Sequence, residues 1–128
     1  METKILLDTN FLLIPVEFRV DIFSELERLM DGKYKIYVLK QTIEELKNIQ
    51  EQQKGKNRQA AKIALQLIEN KKINILYIGS KKSVDEIIIE LADKNYIIGT
   101  QDKLLRKKLK QKNAKLLTLR QKNHLIII

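Results

Sequence analysis

The stretch Leu6-Leu7-Asp8-Thr9-Asn10 places a carboxylate directly after a short apolar run near the start of the chain. A short apolar run without alternation is typical of a strand buried on both faces of a parallel sheet. Five such runs, rich in Ile, Leu, Val and Tyr, occupy residues 5–7, 36–39, 75–78, 96–98 and 116–119. They predict a parallel sheet whose first strand ends at Asp8.

Segments with helical periodicity separate these runs. Their apolar residues recur every three or four positions within residues 22–30, 43–49, 61–68, 87–92 and 104–109. Strands that alternate with helices predict an α/β protein with three layers, in which helices flank a central parallel sheet of about five strands. The polar stretch 50–59 is predicted to be a loop. The apolar tail 125–128 is either an extra strand on the sheet edge or a patch that meets a partner.

Length and composition narrow the class of protein. The 128 residues predict a single domain covering positions 1–128. The chain has no cysteine and one histidine, His124, which excludes disulfides and thiolate zinc sites and argues strongly against a Ser-His-Asp relay. No apolar run reaches the roughly 18 residues that span a bilayer, and the start lacks a signal-peptide cleavage pattern. We therefore expect a soluble cytoplasmic protein without a membrane partner.

The charge balance indicates a polyanionic partner. The chain has 25 Lys and Arg against 16 Asp and Glu, a net charge of +9, which favours nucleic acid first and anionic membranes second. Residues 103–122 include nine basic side chains and no acidic one. We predict that RNA phosphates contact the basic residues at the start of this stretch, which are Lys103, Arg106, Lys107, Lys108 and Lys110. The alternative is a solvated helix face in a Lys-rich protein.

The aromatic residues do not add to this expectation. Tyrosines in or beside predicted strands are more typical of core packing than of base stacking. The tyrosines of this chain mostly fall in such positions; they are Tyr34, Tyr37, Tyr77 and Tyr96.

Four acidic residues fall where the predicted strands end. Asp8 and Asp102 follow the first and fourth strands, and Glu45 and Asp85 lie in the predicted first turns of the helices after the second and third. The carboxyl ends of parallel strands share one edge of the sheet, where sites form at the point of reversed strand order. Clustered carboxylates suit Mg²⁺ or Mn²⁺, which prefer oxygen ligands.

Helix capping is the alternative explanation for each acid. Asp is a favoured N-cap residue, and both Thr42-Ile43-Glu44-Glu45 and Ser83-Val84-Asp85-Glu86 match a capping box. In the second box Glu86 takes the capping role, which leaves Asp85 free. The shared position of all four acids favours a metal site.

These residues resemble the PIN-domain ribonucleases over essentially the whole chain. The resemblance depends on Leu6-Leu7-Asp8-Thr9-Asn10, Glu44-Glu45-Leu46, Val84-Asp85-Glu86-Ile87 and Thr100-Gln101-Asp102-Lys103-Leu104. Within the family, the chain is most similar to nucleases of small-subunit rRNA processing and their archaeal relatives. The toxins of toxin–antitoxin pairs share the same four acidic positions.

The resemblance implies a role for each matched position. Asp8, Glu45, Asp85 and Asp102 would be the catalytic acids that bind Mg²⁺ or Mn²⁺, with Glu45 chosen over Glu44 because it directly precedes Leu46. The supporting residues would be Thr9, Asn10 and Thr100.

The resemblance also implies an activity and partners. The expected activity is an endoribonuclease that cleaves single-stranded RNA or an rRNA precursor, leaving 5′-phosphate and 3′-hydroxyl ends. The expected partners are a second copy in a homodimer and an antitoxin or ribosome-assembly protein. Two alternatives stay open: a non-catalytic RNA-binding or assembly module on the same fold, and a toxin-type ribonuclease.

Overall fold

The computed structural model describes residues 2–128 and contains a central six-stranded sheet. The strands in chain order are β1 (Thr3–Leu7), β2 (Tyr34–Leu39), β3 (Asn74–Leu76), β4 (Tyr96–Gly99), β5 (Leu116–Arg120) and β6 (His124–Ile127). Their spatial order is β3-β2-β1-β4-β5-β6, and the first five are parallel. The five predicted strands are confirmed, and the apolar tail forms the sixth, antiparallel to β5.

Seven helices within the described residues 2–128 connect the strands and cover both faces of the sheet. They are α1 (Thr9–Leu12), α2 (Ile14–Glu17), α3 (Ile22–Leu29), α4 (Lys40–Gln52), α5 (Lys56–Asn70), α6 (Val84–Asp93) and α7 (Lys103–Gln111). None of the helices within residues 2–128 is long and apolar enough to cross a membrane.

Alternating side chains of the strands divide the core into two parts. In β1, Ile5 and Leu7 are buried in the cluster formed with α1 to α5, whereas Leu6 belongs to the cluster formed with α6 and α7. All three side chains are buried, because a strand in the middle of a three-layer fold has no solvent-facing side. This arrangement is the predicted three-layer α/β fold.

The strand order reverses between β1 and β4. Both strands are central and pair with each other, with Leu6 opposite Ile98 and Leu7 opposite Gly99. The connections from β1 lead to one side of the sheet and those from β4 to the other, so a crevice opens between their carboxyl ends. Asp8 directly follows β1 at this position, as predicted.

Two local predictions are wrong. Residues 50–59 are not a loop: α4 continues to Gln52 and α5 begins at Lys56, which leaves three residues between them. In addition, α4 begins at Lys40, directly after β2, and its N-cap is Leu39, which makes no side-chain cap bond. Glu45 therefore lies in the second turn of the helix and not in the first.

Candidate active site

Asp8 is held at the end of β1 by bonds to both carboxylate oxygens. Its Oδ1 accepts a hydrogen bond from the Thr9 backbone N–H at 2.9 Å, and its Oδ2 accepts one from the Thr100 hydroxyl at 2.9 Å. Burial raises the pKa of Asp8; the bonds from Thr100 and Thr9 lower it, and the nearby charges of Asp85 and Asp102 raise it again. The net shift is upward, because neutral donors compensate only part of the cost of burying a negative charge.

Thr100 and Asn10 tie the ends of β1 and β4 together. Thr100 is fully buried, and its hydroxyl accepts from the Asp102 backbone N–H at 3.2 Å while it donates to Asp8. Asn10 accepts from the Gln101 backbone N–H at 2.9 Å. These bonds fix the relative positions of Asp8 and Asp102 across the crevice.

Asp102 has a capping role in addition to its place at the crevice. It is the N-cap of α7, and its Oδ1 accepts from the Leu104 and Leu105 backbone N–H groups at 2.9 and 3.1 Å. Both bonds go to the same oxygen, which leaves Oδ2 available to a ligand. The capping alternative is therefore correct for Asp102 without excluding metal binding.

Glu45 reaches the crevice from α4. Although the residue as a whole is exposed, partial burial of its carboxyl group raises its pKa, the Thr9 hydroxyl lowers it, and the charges of Asp8 and Asp85 raise it further. The predicted capping box is wrong here, because Thr42 is not an N-cap: it is buried within α4, and its hydroxyl accepts from that of Thr9 at 3.4 Å. Sequence reasoning missed this supporting role, since only the tertiary contact to Thr9 reveals it.

Asp85 is the second residue of α6. The capping box predicted at this helix is present, with Ser83 as N-cap and Glu86 as its reciprocal partner. As expected, Asp85 takes no part in the box and remains free to face the crevice.

The four acids line a single cavity of about 290 Å³. Its walls are formed by Asp8, Thr9, Asn10, Leu13, Glu45, Ile49, Val84, Asp85 and Asp102. Glu44 is exposed and is not among them. The structure thus brings together the residues expected from four different βα connections.

No basic side chain neutralises these acids in the part of the chain that the structure describes. The four ion pairs found among residues 2–128 involve Glu25, Glu2, Glu90 and Asp93. Clustered carboxylates without a basic partner form a donor set suited to a hard divalent cation, and their mutual repulsion contributes to the raised pKa values of Asp8 and Glu45. Within the same residues no three acids are close enough to hold one ion as they stand, so an ion would draw the side chains together.

The basic residues of α7 lie beside this cavity. Lys103 follows Asp102 directly, and it lines a groove of about 550 Å³ together with Arg106, Lys107, Lys110, Gln111 and Ile128. Arg106 also donates to the Thr118 hydroxyl of β5 at 2.7 Å. The predicted contact Lys108 is exposed but does not line the groove, because it lies on a different side of the helix.

Comparisons with known proteins agree with this geometry. A family model described as a PIN like domain matches residues 5–122. Ribonuclease VapC4 of Methanocaldococcus jannaschii is 34% identical over 125 residues, which covers 94% of this chain and 93% of the relative.

Two solved structures share the fold. The PIN domain endonuclease Utp24 superposes with a TM-score of 0.77 at 18% identity, over 97% of this chain and 90% of that one. A domain of a functionally unknown protein from Methanocaldococcus jannaschii superposes with a TM-score of 0.60 at 17% identity, over 92% of this chain and 91% of that one. Since the family model spans most of the sequence and the curated relative aligns over nearly its full length, the chain belongs to the PIN-like domain family.

Proposed function

We propose that this protein is a divalent-metal-dependent endoribonuclease that hydrolyses single-stranded RNA. The observation that carries the proposal is the convergence of four carboxylates, from four separate βα connections, on one cavity. The relative named as a ribonuclease, which aligns over 94% of this chain, supports the same activity.

The residues present fit Mg²⁺ or Mn²⁺. Asp8, Glu45, Asp85 and Asp102 would hold the ion, all through oxygen atoms. Asp8 is fixed by its hydrogen bonds, whereas Glu45 is exposed and free to turn towards it. The bound ion would supply charge neutralisation at the scissile phosphate and a lowered pKa for the attacking water.

The chain's own residues would orient the site and attract the substrate. Thr9, Asn10 and Thr100 hold the carboxylates in place through the hydrogen bonds described above. Lys103, Arg106, Lys107 and Lys110 line the adjacent groove and would contact RNA phosphates. Lys108 would contribute only to the general attraction of a polyanion.

The test is cleavage of labelled single-stranded RNA with Mn²⁺ or Mg²⁺ by the wild type, Asp8→Asn and Asp93→Asn. Asp93 is a suitable control because it is exposed and paired with Lys112, outside the cavity. We expect Asp8→Asn to lose more than about 100-fold in rate, the upper end of the loss caused by residues that merely support a metal. Asp93→Asn should cut like the wild type and leave 5′-phosphate ends.

Other outcomes would redirect the proposal. Equal cutting by wild type and Asp8→Asn would identify a contaminating nuclease. RNA binding by the wild type without cleavage, on single-stranded RNA and on rRNA precursor alike, would favour the non-catalytic binding module.

A toxin-type role is the second candidate, because the curated relative bears the name of a ribonuclease of the VapC type. If it applies, expression of the wild type should arrest growth of a bacterial host and Asp8→Asn should not. An antitoxin partner would relieve that arrest on co-expression. Unimpaired growth, combined with cleavage of an rRNA precursor, would instead favour ribosomal RNA processing with an assembly partner. Light scattering would test the proposed homodimer.

A further inference from the structure

Tyr77, which directly follows β3, is exposed to solvent, in contrast to the other tyrosines of the chain. Its relative exposure is 73%, while Tyr34, Tyr37 and Tyr96 pack against the two core clusters. The expectation of core packing is therefore wrong for Tyr77. A single exposed aromatic residue is common on protein surfaces, so its position has to decide whether it has a function.

The backbone around Tyr77 is anchored on both sides. Leu76 and Ile78 pack against the core cluster shared with α6 and α7. The Gln41 side chain donates a hydrogen bond to the Ile78 carbonyl at 3.1 Å. The exposed ring is thus presented by a fixed segment, which reduces the entropy lost when a ligand stacks on it.

Strand register places Tyr77 at the same end of the sheet as the acidic cavity. Leu6 pairs with Tyr37, and Leu39 pairs with Leu76, so Asp8 and Leu76 lie at the same level of the sheet. They are two strands apart, which corresponds to about 10 Å between their backbones. The next residue, Tyr77, lies outside the cavity lining, at the β3 side of this end of the sheet, whereas the basic groove of α7 follows β4.

The loop that begins at Tyr77 leads directly to one of the four acidic residues. It includes the exposed Lys81 and leads into α6, whose second residue is Asp85. An exposed aromatic ring and a basic side chain in one loop are residue types that bind single-stranded nucleic acid, because every base has a face that can stack.

We infer that Tyr77 is a stacking platform for a base of the single-stranded RNA whose phosphates follow the α7 groove. This inference rests on the proposed function and adds a second anchor for the substrate, on the opposite side of the cavity. RNA would cross the acidic cavity between the two anchors, which fixes the strand over the carboxylates. Since any base can stack, Tyr77 would increase affinity with little sequence preference.

The first test uses binding with EDTA present, so that no RNA is cut. Tyr77→Ala should weaken binding of a labelled single-stranded oligoribonucleotide by roughly 5- to 100-fold, and Tyr77→Phe should bind like the wild type. An oligonucleotide of the same length and charge with abasic positions should bind wild type and Tyr77→Ala alike. Because the side chain is exposed, the variants are expected to fold, and thermal unfolding checks this.

The second test exploits the absence of tryptophan from the sequence. In Tyr77→Trp the fluorescence comes from one site, and RNA with bases should quench it while the abasic oligonucleotide should not. Tyr34→Trp, at the first residue of β2 and so at the opposite end of the sheet, should show no such quenching.

Three results would overturn the inference. Equal affinity of wild type and Tyr77→Ala, or RNA binding to Tyr77→Trp without quenching, would exclude the platform and leave the proposed nuclease intact. Failure of the wild type to bind any single-stranded RNA, combined with failure to cut it, would overturn both proposals.

Discussion

At the residue scale, the site is defined by how Asp8 is stabilised. Its carboxylate is partly buried near two other acids, and its bonds come from a hydroxyl and a backbone N–H and not from a basic side chain. Such donors orient the two oxygens without cancelling their charge. The site therefore keeps a fixed carboxylate whose negative charge remains available to a cation.

Thr100→Val tests this role of the hydroxyl. The change conserves the shape of the buried side chain but removes the hydroxyl that donates to Asp8 Oδ2 at 2.9 Å. We expect metal-dependent cleavage to fall by about 10- to 100-fold and the free energy of unfolding to fall by about 1–3 kcal/mol. Kinetic assays and urea denaturation measure the two effects. Thr100→Ser keeps the hydroxyl and should recover most of the activity; if it is as impaired as Thr100→Val, the hydroxyl bond is not the cause.

At the element scale, β4 and α1 approach each other closely at Gly99. A β-carbon added to Gly99 would lie 2.9 Å from Leu7 Cδ2 and 3.2 Å from Phe11 Cδ2. Both neighbours are buried, with Leu7 in β1 and Phe11 in α1. Glycine thus permits the contact that brings Thr100 within hydrogen-bonding distance of Asp8.

Gly99→Ala should destabilise the protein by about 1–3 kcal/mol, since a buried core can absorb an extra methyl only by shifting its side chains. Gly79→Ala is the matched control, because nothing lies within 4 Å of the added atom. Urea denaturation of the two variants measures the difference. A Gly99→Ala protein as stable as Gly79→Ala would show that β4 and α1 can separate at little cost.

Two side chains of α3 form hydrogen bonds with the backbone of the edge strand β6. Glu25 Oε1 accepts from the Leu125 backbone N–H at 2.8 Å, and Arg28 donates to the Leu125 carbonyl at 2.8 Å. In an antiparallel pair, residues whose backbone groups bond to the partner strand alternate with residues whose groups point away from it. Ile126 is bonded opposite Thr118 of β5, so the backbone N–H and carbonyl of its neighbour Leu125 point away from β5. Occupied groups cannot template a strand of another molecule, so the ion pair protects part of the edge.

This contact predicts how stability depends on pH. The hydrogen bond from Arg28, followed by that from Leu125, lowers the pKa of Glu25 below its ordinary value of 4.5. The stabilisation is therefore fully present above that value and is lost as the pH falls through the lower pKa of the folded state. Thermal unfolding should show that Glu25→Gln is less stable than wild type at neutral pH and that the difference shrinks in acid.

Glu51→Gln provides the control for that experiment. Glu51 is exposed on α4, and its substitution removes the same charge as Glu25→Gln but outside the contact with β6. A difference between wild type and Glu25→Gln that stays constant down to acid pH would contradict the assigned role of the ion pair.

The same elements show what the sequence can and cannot predict. The strands and the rim position of Asp8, Asp85 and Asp102 follow from short apolar runs and from the sites where these runs end, which are local signals. The start of α4 does not follow, because no capping residue marks it and β2 passes directly into the helix. The start of α5 does not follow either, because residues 56–59 are polar and exposed, and the apolar periodicity begins only at the buried Ala60 and Ala61.

At the scale of the whole molecule, the net charge of the protein and the charge of the site have opposite signs. The chain has a net charge of +9, yet the cavity at the carboxyl ends of the strands is lined by four acids. An RNA strand would be repelled by the empty cavity and attracted by the groove of α7. Basic residues beside the acids would thus deliver the phosphate, and an ion between the acids would reverse the local repulsion.

The arrangement of α7 predicts which lysine contributes to binding. Lys107 lines the groove, whereas Lys108 is its neighbour in sequence and lies outside it, so the two make a matched pair of equal charge. Binding of single-stranded RNA releases counterions, and each phosphate contact adds roughly 0.7 to the slope of log affinity against log salt concentration. With EDTA present, Lys107→Ala should reduce that slope by about this amount, and Lys108→Ala should reduce it less. Equal reductions would mean that RNA responds to the overall positive charge and not to the groove, and the path of the strand would then have to be placed elsewhere on the surface.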